Sequence, residues 1–404
     1  MRPVDWLERQ ILICVGTGGV GKTTLAATIG LEAARRGKRV LVVTIDPARR
    51  LADAFGVVPL GNVPRAIPPA RISRALDGRA PGTLHAMMLD TKRSFDALVE
   101  RFAPDRASRD RIFENSIYQT LTDALAGSRE YAASEELLRL HSEAEYDLIV
   151  LDTPPARHAL DFLDAPRRLI GFLESPLSRL LVRPALAAGR TGLHWFRLGS
   201  EHALRALERV SGFEFLRAIS EFLVAFEGLV DGFAARAHEV RRLLSSPACG
   251  VVLVAGPGPG QPADAARLRE RLAAEQVDLV GIVMNRLRSW PAPEPCPQLE
   301  DPRWETDEAR LAAALDAEPS VSNPKESAHI LFQQARRQVQ LARRDECAVA
   351  TLAATAQVPV EEICRIPLEA EEIHSLEALA GLARKLFGCT GPAEQLRPAE
   401  ARRE

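Results

Sequence analysis

Residues 16–23 read Gly16-Thr17-Gly18-Gly19-Val20-Gly21-Lys22-Thr23, and they lie between an apolar run, 11–15, and an amphipathic stretch, 22–36, that ends at Gly37. The pattern G-x-x-x-x-G-K-[ST] in that context predicts strand, tight loop and helix in succession. The glycines let the backbone close around an anion, so that consecutive N–H groups and the helix N-terminus face negative charge. This predicts a phosphate cradle from Gly18, Gly19, Val20 and Gly21. Lys22 is placed to reach the β and γ phosphates of a nucleotide, and the Thr23 hydroxyl to ligate Mg²⁺.

The phosphate loop also constrains the rest of the chain, because it belongs to α/β folds. Six apolar, β-branched runs recur at 11–15, 40–45, 148–151, 251–255, 279–284 and 363–366. Such runs fit strands buried on both faces of a parallel sheet. Helical patterns such as 22–36 and 265–275 separate them, which predicts a doubly wound, mostly parallel sheet. The stretch bearing Ile373, Leu376, Leu379, Leu382 and Leu386 reads as a helix packed on that sheet.

Two segments, about 87–143 and 166–244, are too long for simple crossovers and predict an inserted helical subdomain within a single domain spanning 1–404. In the second, Leu216, Ile219, Leu223, Phe226, Val230 and Phe233 form an apolar stripe, widened by Phe215, Phe222 and Leu229. Five prolines within 290–304 predict an extended surface loop. The stretch 390–404 is expected to be a disordered tail.

Two acids sit at strand ends. Asp46 follows the second run and can approach a γ phosphate from the C-terminal edge of the sheet, where ligands of open α/β sheets bind. Asp152 closes the run that begins at Leu148 and is the expected carboxylate beside the metal. The predicted site is therefore Lys22, Asp46 and Asp152 for catalysis, with Thr23, Asp46 and Asp152 around Mg²⁺, partly through water.

Composition narrows the partners. With 52 Lys and Arg against 54 Asp and Glu, no global basic field exists to gather nucleic acid. No run approaches the ~18 apolar residues of a membrane span. The six cysteines form no C-x-x-C pair, which fits a reducing cytoplasm. A phosphate loop opening at Gly16 is expected to leave no room for a signal peptide.

These motifs in this order resemble the ArsA-type ATPases: the phosphate loop, Asp46-Pro47-Ala48, Asp152-Thr153-Pro154-Pro155 running to His158, Asn285 after a strand, and Ile366-Pro367-Leu368 followed by Glu372-Ile373-His374-Ser375-Leu376. That family includes arsenite-pump ATPases and the ATPases that deliver tail-anchored membrane proteins. The resemblance implies that Asp46 orients the attacking water, that Asp152 is the second switch acid, and that Asn285 reads adenine. It also places Thr24 and Pro367 at the nucleotide. It implies a dimer, either of identical chains or with a related ATPase subunit, that closes on ATP, opens after hydrolysis and holds a client in a groove of the helical insertion.

Two positions depart from the family pattern. Thr17 stands where most members have a lysine that reaches the partner's phosphate, so Arg49 or Arg50, or a related subunit, is expected to supply the charge. Ala156-Arg157 stands where Thr-Gly is common. Three functions remain in view: a targeting ATPase for a hydrophobic helix, the energising subunit of a metalloid pump, and a weakly catalytic nucleotide-sensing subunit.

Overall fold

In a computed structural model, which describes residues 3–46, 50–57, 60–76, 82–103, 105–115, 128–154, 232, 234–290, 296–299, 301, 303–318 and 320–388, the chain builds one eight-stranded sheet. The strands are β1 (Ile11–Gly16), β2 (Arg39–Thr44), β3 (Arg65–Ala66), β4 (Thr83–Met88), β5 (Leu148–Asp152), β6 (Cys249–Ala255), β7 (Leu279–Leu287) and β8 (Ile363–Pro367). Their order across the sheet is β3-β4-β2-β5-β1-β6-β7-β8, and every pairing is parallel except the short β3 against β4. This is the expected mostly parallel α/β architecture.

The helices of the described residues are α1 (Pro3–Trp6), α2 (Lys22–Arg35), α3 (Arg50–Phe55), α4 (Pro69–Ala75), α5 (Thr91–Phe102), α6 (Arg106–Glu114), α7 (Ser128–Ser142), α8 (234–244), α9 (Gln261–Ala274), α10 (Arg303–Asp316), α11 (Pro324–Ala356) and α12 (Leu376–Phe387). They cover both faces of the sheet, and the strand sequences show why. Leu12 and Cys14 of β1, Val40 and Val42 of β2, and Val252 and Val254 of β6 point into one core with α2, α3, α4 and α12. Ile11, Ile13 and Val15, Leu41 and Val43, and Val251 and Leu253 point into the other, against α7, α8, α9 and α11. Side chains alternate in direction along a strand, so a strand covered on both faces must be apolar at every position.

Several expectations change. All six predicted strands are present, and β3 and β4 are added. The predicted helical stretch 87–143 is corrected at its start, because Met87 and Met88 close β4 in register with Val43 and Thr44. The sequence Thr-Leu-His-Ala-Met-Met has low β-propensity, and pairing with β2 makes it a strand. The Pro-rich segment 290–304 is also corrected: Arg303 and Trp304 already belong to α10, since the proline at 302 precedes the helix rather than interrupting it. Of the second predicted insertion, 166–244, only residue 232 and α8 are described, and the apolar stripe between Leu216 and Phe233 lies outside the described residues, as do His158, Ala156, Arg157, Arg49 and the predicted tail 390–404.

The helix α12 buries Leu376, Leu379, Leu382 and Leu386 against α2 and β8, as their spacing predicts, whereas Ile373, expected in the same helix, lies in the segment before it, since the helix begins only after Ser375. Ser375 caps it by accepting from the Ala378 N–H at 3.1 Å. The long α11 packs its C-terminal half on the sheet through Val349, Leu352, Ala353 and Ala356. Its buried Asp345 accepts from the Arg288 N–H at 2.9 Å, which ties the chain leaving β7 to the helix.

Candidate active site

The loop that leaves β1 opens above the C-terminal ends of the strands. β1 sits between β5 and β6, so chain segments depart from it toward both sides of the sheet, and that divergence leaves a crevice. A cavity of about 630 Å³ occupies it, lined by Gly19, Gly21, Lys22, Thr23, Thr24, Asp46, Thr153, Asn285 and Pro367 among others. The structure thus gathers residues from five distant parts of the sequence.

Gly21 shows why the loop needs its glycines. It has φ +92°, which L side chains rarely adopt, and a Cβ there would stand 2.4 Å from Asn285 Nδ2. α2 starts at the next residue, so its free N–H groups face the cavity. Lys22 is buried, and its ammonium donates to the Thr17 carbonyl at 3.0 Å, so that it lies across the loop. Burial lowers the Lys22 pKa, while Asp152 and Asp46 oppose that shift.

Asp152 is fixed by strand register. It pairs with Cys14 of β1 on one side and Thr44 of β2 on the other. Its Oδ2 accepts from Thr23 Oγ1 at 2.7 Å and from Thr44 Oγ1 at 2.9 Å. Its Oδ1 is buried and has no hydrogen-bond partner. Burial pushes the Asp152 pKa up to about 6, against the pull of the two hydroxyls and Lys22. A carboxylate oxygen left unpaired in a dry site, next to a hydroxyl, is a fitting donor set for a hard divalent cation such as Mg²⁺. Thr153 donates from Oγ1 to the Cys14 carbonyl at 2.8 Å and fixes the turn that follows.

This arrangement gives a pH prediction. The folded-state pKa of Asp152 exceeds the unfolded one, so its neutral form stabilises the fold below about pH 4, and that contribution is lost as the pH rises through about 6. At pH 7 the ionised form costs on the order of 3 kcal/mol. A divalent cation held by the ionised carboxylate would offset that cost. The Tm gain from Mg²⁺ with ADP should therefore be larger at pH 7 than at pH 5 by differential scanning fluorimetry, and equal gains at both would contradict the assignment.

Asp46 follows β2, and its N–H donates to Thr44 Oγ1 at 3.2 Å. It lines the cavity with Lys22. On the opposite side, Asn285 Nδ2 donates to the Val20 carbonyl at 2.7 Å, and its Oδ1 accepts from the Arg286 N–H at 2.9 Å. Asn285 thus clasps the phosphate loop to β7, with one N–H and one lone pair left for a ligand. Arg286, which the sequence reading did not single out, has φ +63° and donates from Nη1 to the Gly19 carbonyl at 2.7 Å. An arginine held at positive φ beside the site is a strained position of the kind that clusters at ligand clamps. Its place directly after Asn285 was the available signal. Pro367 ends β8 opposite Leu287, and the segment it opens, through His374, overhangs the cavity.

A strand–loop–helix with this phosphate loop at the switch point of a parallel sheet defines a P-loop nucleotide-binding α/β protein. A family model described as an anion-transporting ATPase matches residues 9–316, and the chain belongs to that family. It is 32% identical over 176 residues to a putative arsenical pump-driving ATPase of Halobacterium salinarum, covering 43% of this chain and 26% of that protein. It is 30% identical over 182 residues to ATPase ASNA1 homolog 1 of Paramecium tetraurelia (43% and 49%), and 31% identical over 164 residues to ATPase GET3 of Malassezia globosa (40% and 44%). These matches span between 26% and 49% of the relatives' own lengths. Among the described residues no helix is long and apolar enough to cross a membrane.

Proposed function

We propose that the chain binds MgATP in this cavity and hydrolyses it to ADP and phosphate. One observation carries the reading: Lys22, Thr23 and Asp46 line a single cavity behind an intact phosphate loop, and the buried Asp152 accepts from the Thr23 hydroxyl beside it. The backbone N–H groups of Gly18, Gly19, Val20 and Gly21 receive the phosphates, with Lys22 across the β and γ groups and Thr24 at the start of α2 beside them. Thr23 and Asp152 hold Mg²⁺, with Asp46 acting partly through water. When bound there, Mg²⁺ neutralises charge on the phosphate oxygens. Asp46 orients the attacking water, and Asn285 and Pro367 border the adenine.

The nucleotide cycle is proposed to open and close a dimer, of identical chains or with a related subunit, and so to handle a hydrophobic helix of a client membrane protein. The support is the resemblance to targeting ATPases, the relatives named GET3 and ASNA1, and the apolar stripe of the sequence. The cytoplasm is the proposed location. A second reading, energising a metalloid pump, is favoured by the relative named as arsenical pump-driving. Metalloid capture needs accessible thiolates, whereas Cys249 and Cys364 are core side chains whose pKa values burial pushes up to about 12 and about 11.

The deciding experiment is steady-state ATP hydrolysis by the purified chain, with ATP binding measured in parallel. Turnover that needs Mg²⁺ and disappears in Asp46→Asn is the expected result. A chain that binds no ATP would sink the reading.

A further inference from the structure

Phosphoryl transfer needs positive charge beside the equatorial oxygens of the moving group, and among the described residues the cavity presents three Lys or Arg side chains: Lys22, Arg50 and Arg286. Position 17 adds none, since the Thr17 hydroxyl is buried and its carbonyl accepts from Lys22. Lys22 belongs to the phosphate loop. Arg286 is engaged with the Gly19 carbonyl.

Arg50 differs from both. It is the first residue of α3, in the segment that follows Asp46, and it is exposed at the cavity wall. Its guanidinium has no hydrogen bond or ion pair among the described residues, although Asp53 of the same helix lines the same cavity. Arg50 and Lys22 line the same cavity. Two like charges facing one space, one of them unpaired, leave a site that an incoming polyanion completes.

We propose that Arg50 contacts the terminal phosphate of the bound nucleoside triphosphate and stabilises its charge during transfer, from within the same chain. This rests on the ATPase reading above. In the step, a water oxygen forms a bond to the γ-phosphorus while the bond from that phosphorus to the β–γ bridging oxygen breaks. The electron pair stays on the bridging oxygen, which becomes the terminal oxygen of ADP, and the proton of the water leaves with the phosphate or to solvent. The planar fork of Arg50 suits two oxygens of the transferring group at once.

The test compares the full chain with Arg50→Ala and Arg50→Lys. It measures ATP turnover, and equilibrium binding of fluorescent ADP with Mg²⁺ in the presence and absence of aluminium fluoride, which mimics the transferring phosphoryl group. Arg50→Ala is expected to lose about 10³-fold in turnover, to keep ADP affinity within about twofold, and to lose the tightening that aluminium fluoride gives the unmodified chain. Arg50→Lys should recover part of both effects, since a point charge lacks the fork. Unchanged ADP binding also shows that the variants are folded.

Equal turnover and equal tightening in Arg50→Ala would overturn the proposal. So would an unmodified chain whose ADP binding does not tighten with aluminium fluoride, because its own residues would then fail to complete the site. Absence of ADP binding by the unmodified chain would overturn the ATPase reading itself, so ADP binding tells the two failures apart.

Discussion

Asp46→Asn should lower ATP turnover about 10⁴-fold while leaving ATP affinity within about threefold. The residue stands just beyond β2, on the edge of the sheet where the phosphate loop opens, and it lines the cavity with Lys22. A carboxylate can accept hydrogen bonds from a water and so aim its oxygen at the γ-phosphorus. The amide of asparagine keeps the size but offers one acceptor oxygen and no charge, so it holds that water less firmly. The contacts proposed to hold the nucleotide come from the loop N–H groups, Lys22 and Thr23, none of which the substitution replaces. Asp46 also helps to hold the Lys22 pKa up, so its loss leaves that shift less opposed. Single-turnover kinetics with a binding titration separate the effects. Turnover within tenfold of the unmodified chain would mean that another group orients the water.

Gly16→Ala is expected to destabilise the fold by at least about 3 kcal/mol, at the upper end of what overpacking costs. Gly16 ends β1 in register with Val254 of β6. A Cβ there would lie 2.1 Å from the Val254 carbonyl oxygen and 3.0 Å from its carbon. Both atoms are backbone in the middle of the sheet, where Val15, Leu253 and Val254 are fully buried, so no flexible side chain can yield. Relief requires moving β1 away from β6, which also displaces the phosphate loop. Urea unfolding measures the loss, and ADP should recover little of it because the loop is distorted. A midpoint shift equivalent to less than 1 kcal/mol would show that the two strands can separate cheaply.

Much of the site was legible because its residues carry chemistry at strand ends. Asp46 and Asp152 each stand at the end of an apolar run; Asp46 lines the cavity with Lys22 and Thr23, and Asp152 lies buried beneath it in contact with the Thr23 hydroxyl. Asn285 was legible only through family resemblance, and the structure adds its clasp on the Val20 carbonyl. Arg286 went unnoticed because a residue forced to positive φ looks like any other arginine in a sequence. The helices α10 and α11 were left unassigned, although Val339, Ala342, Val349, Leu352, Ala353 and Ala356 fall at helical spacing and are buried. The prolines within 290–304 read as a loop up to the start of α10.

The sequence by itself determined the phosphate loop, the strands rich in β-branched residues and the alternation of strand and helix. These are properties of short segments, in which spacing and side-chain shape act locally. Only the tertiary structure decided that Thr-Leu-His-Ala-Met-Met is a strand, that β1 stands between β5 and β6, and that Asp152 meets the hydroxyls of both Thr23 and Thr44. Strand order and register come from pairing between segments far apart in the chain. No local pattern specifies the neighbour, and burial beside that neighbour both raises the pKa of Asp152 and leaves its Oδ1 without a hydrogen-bond partner.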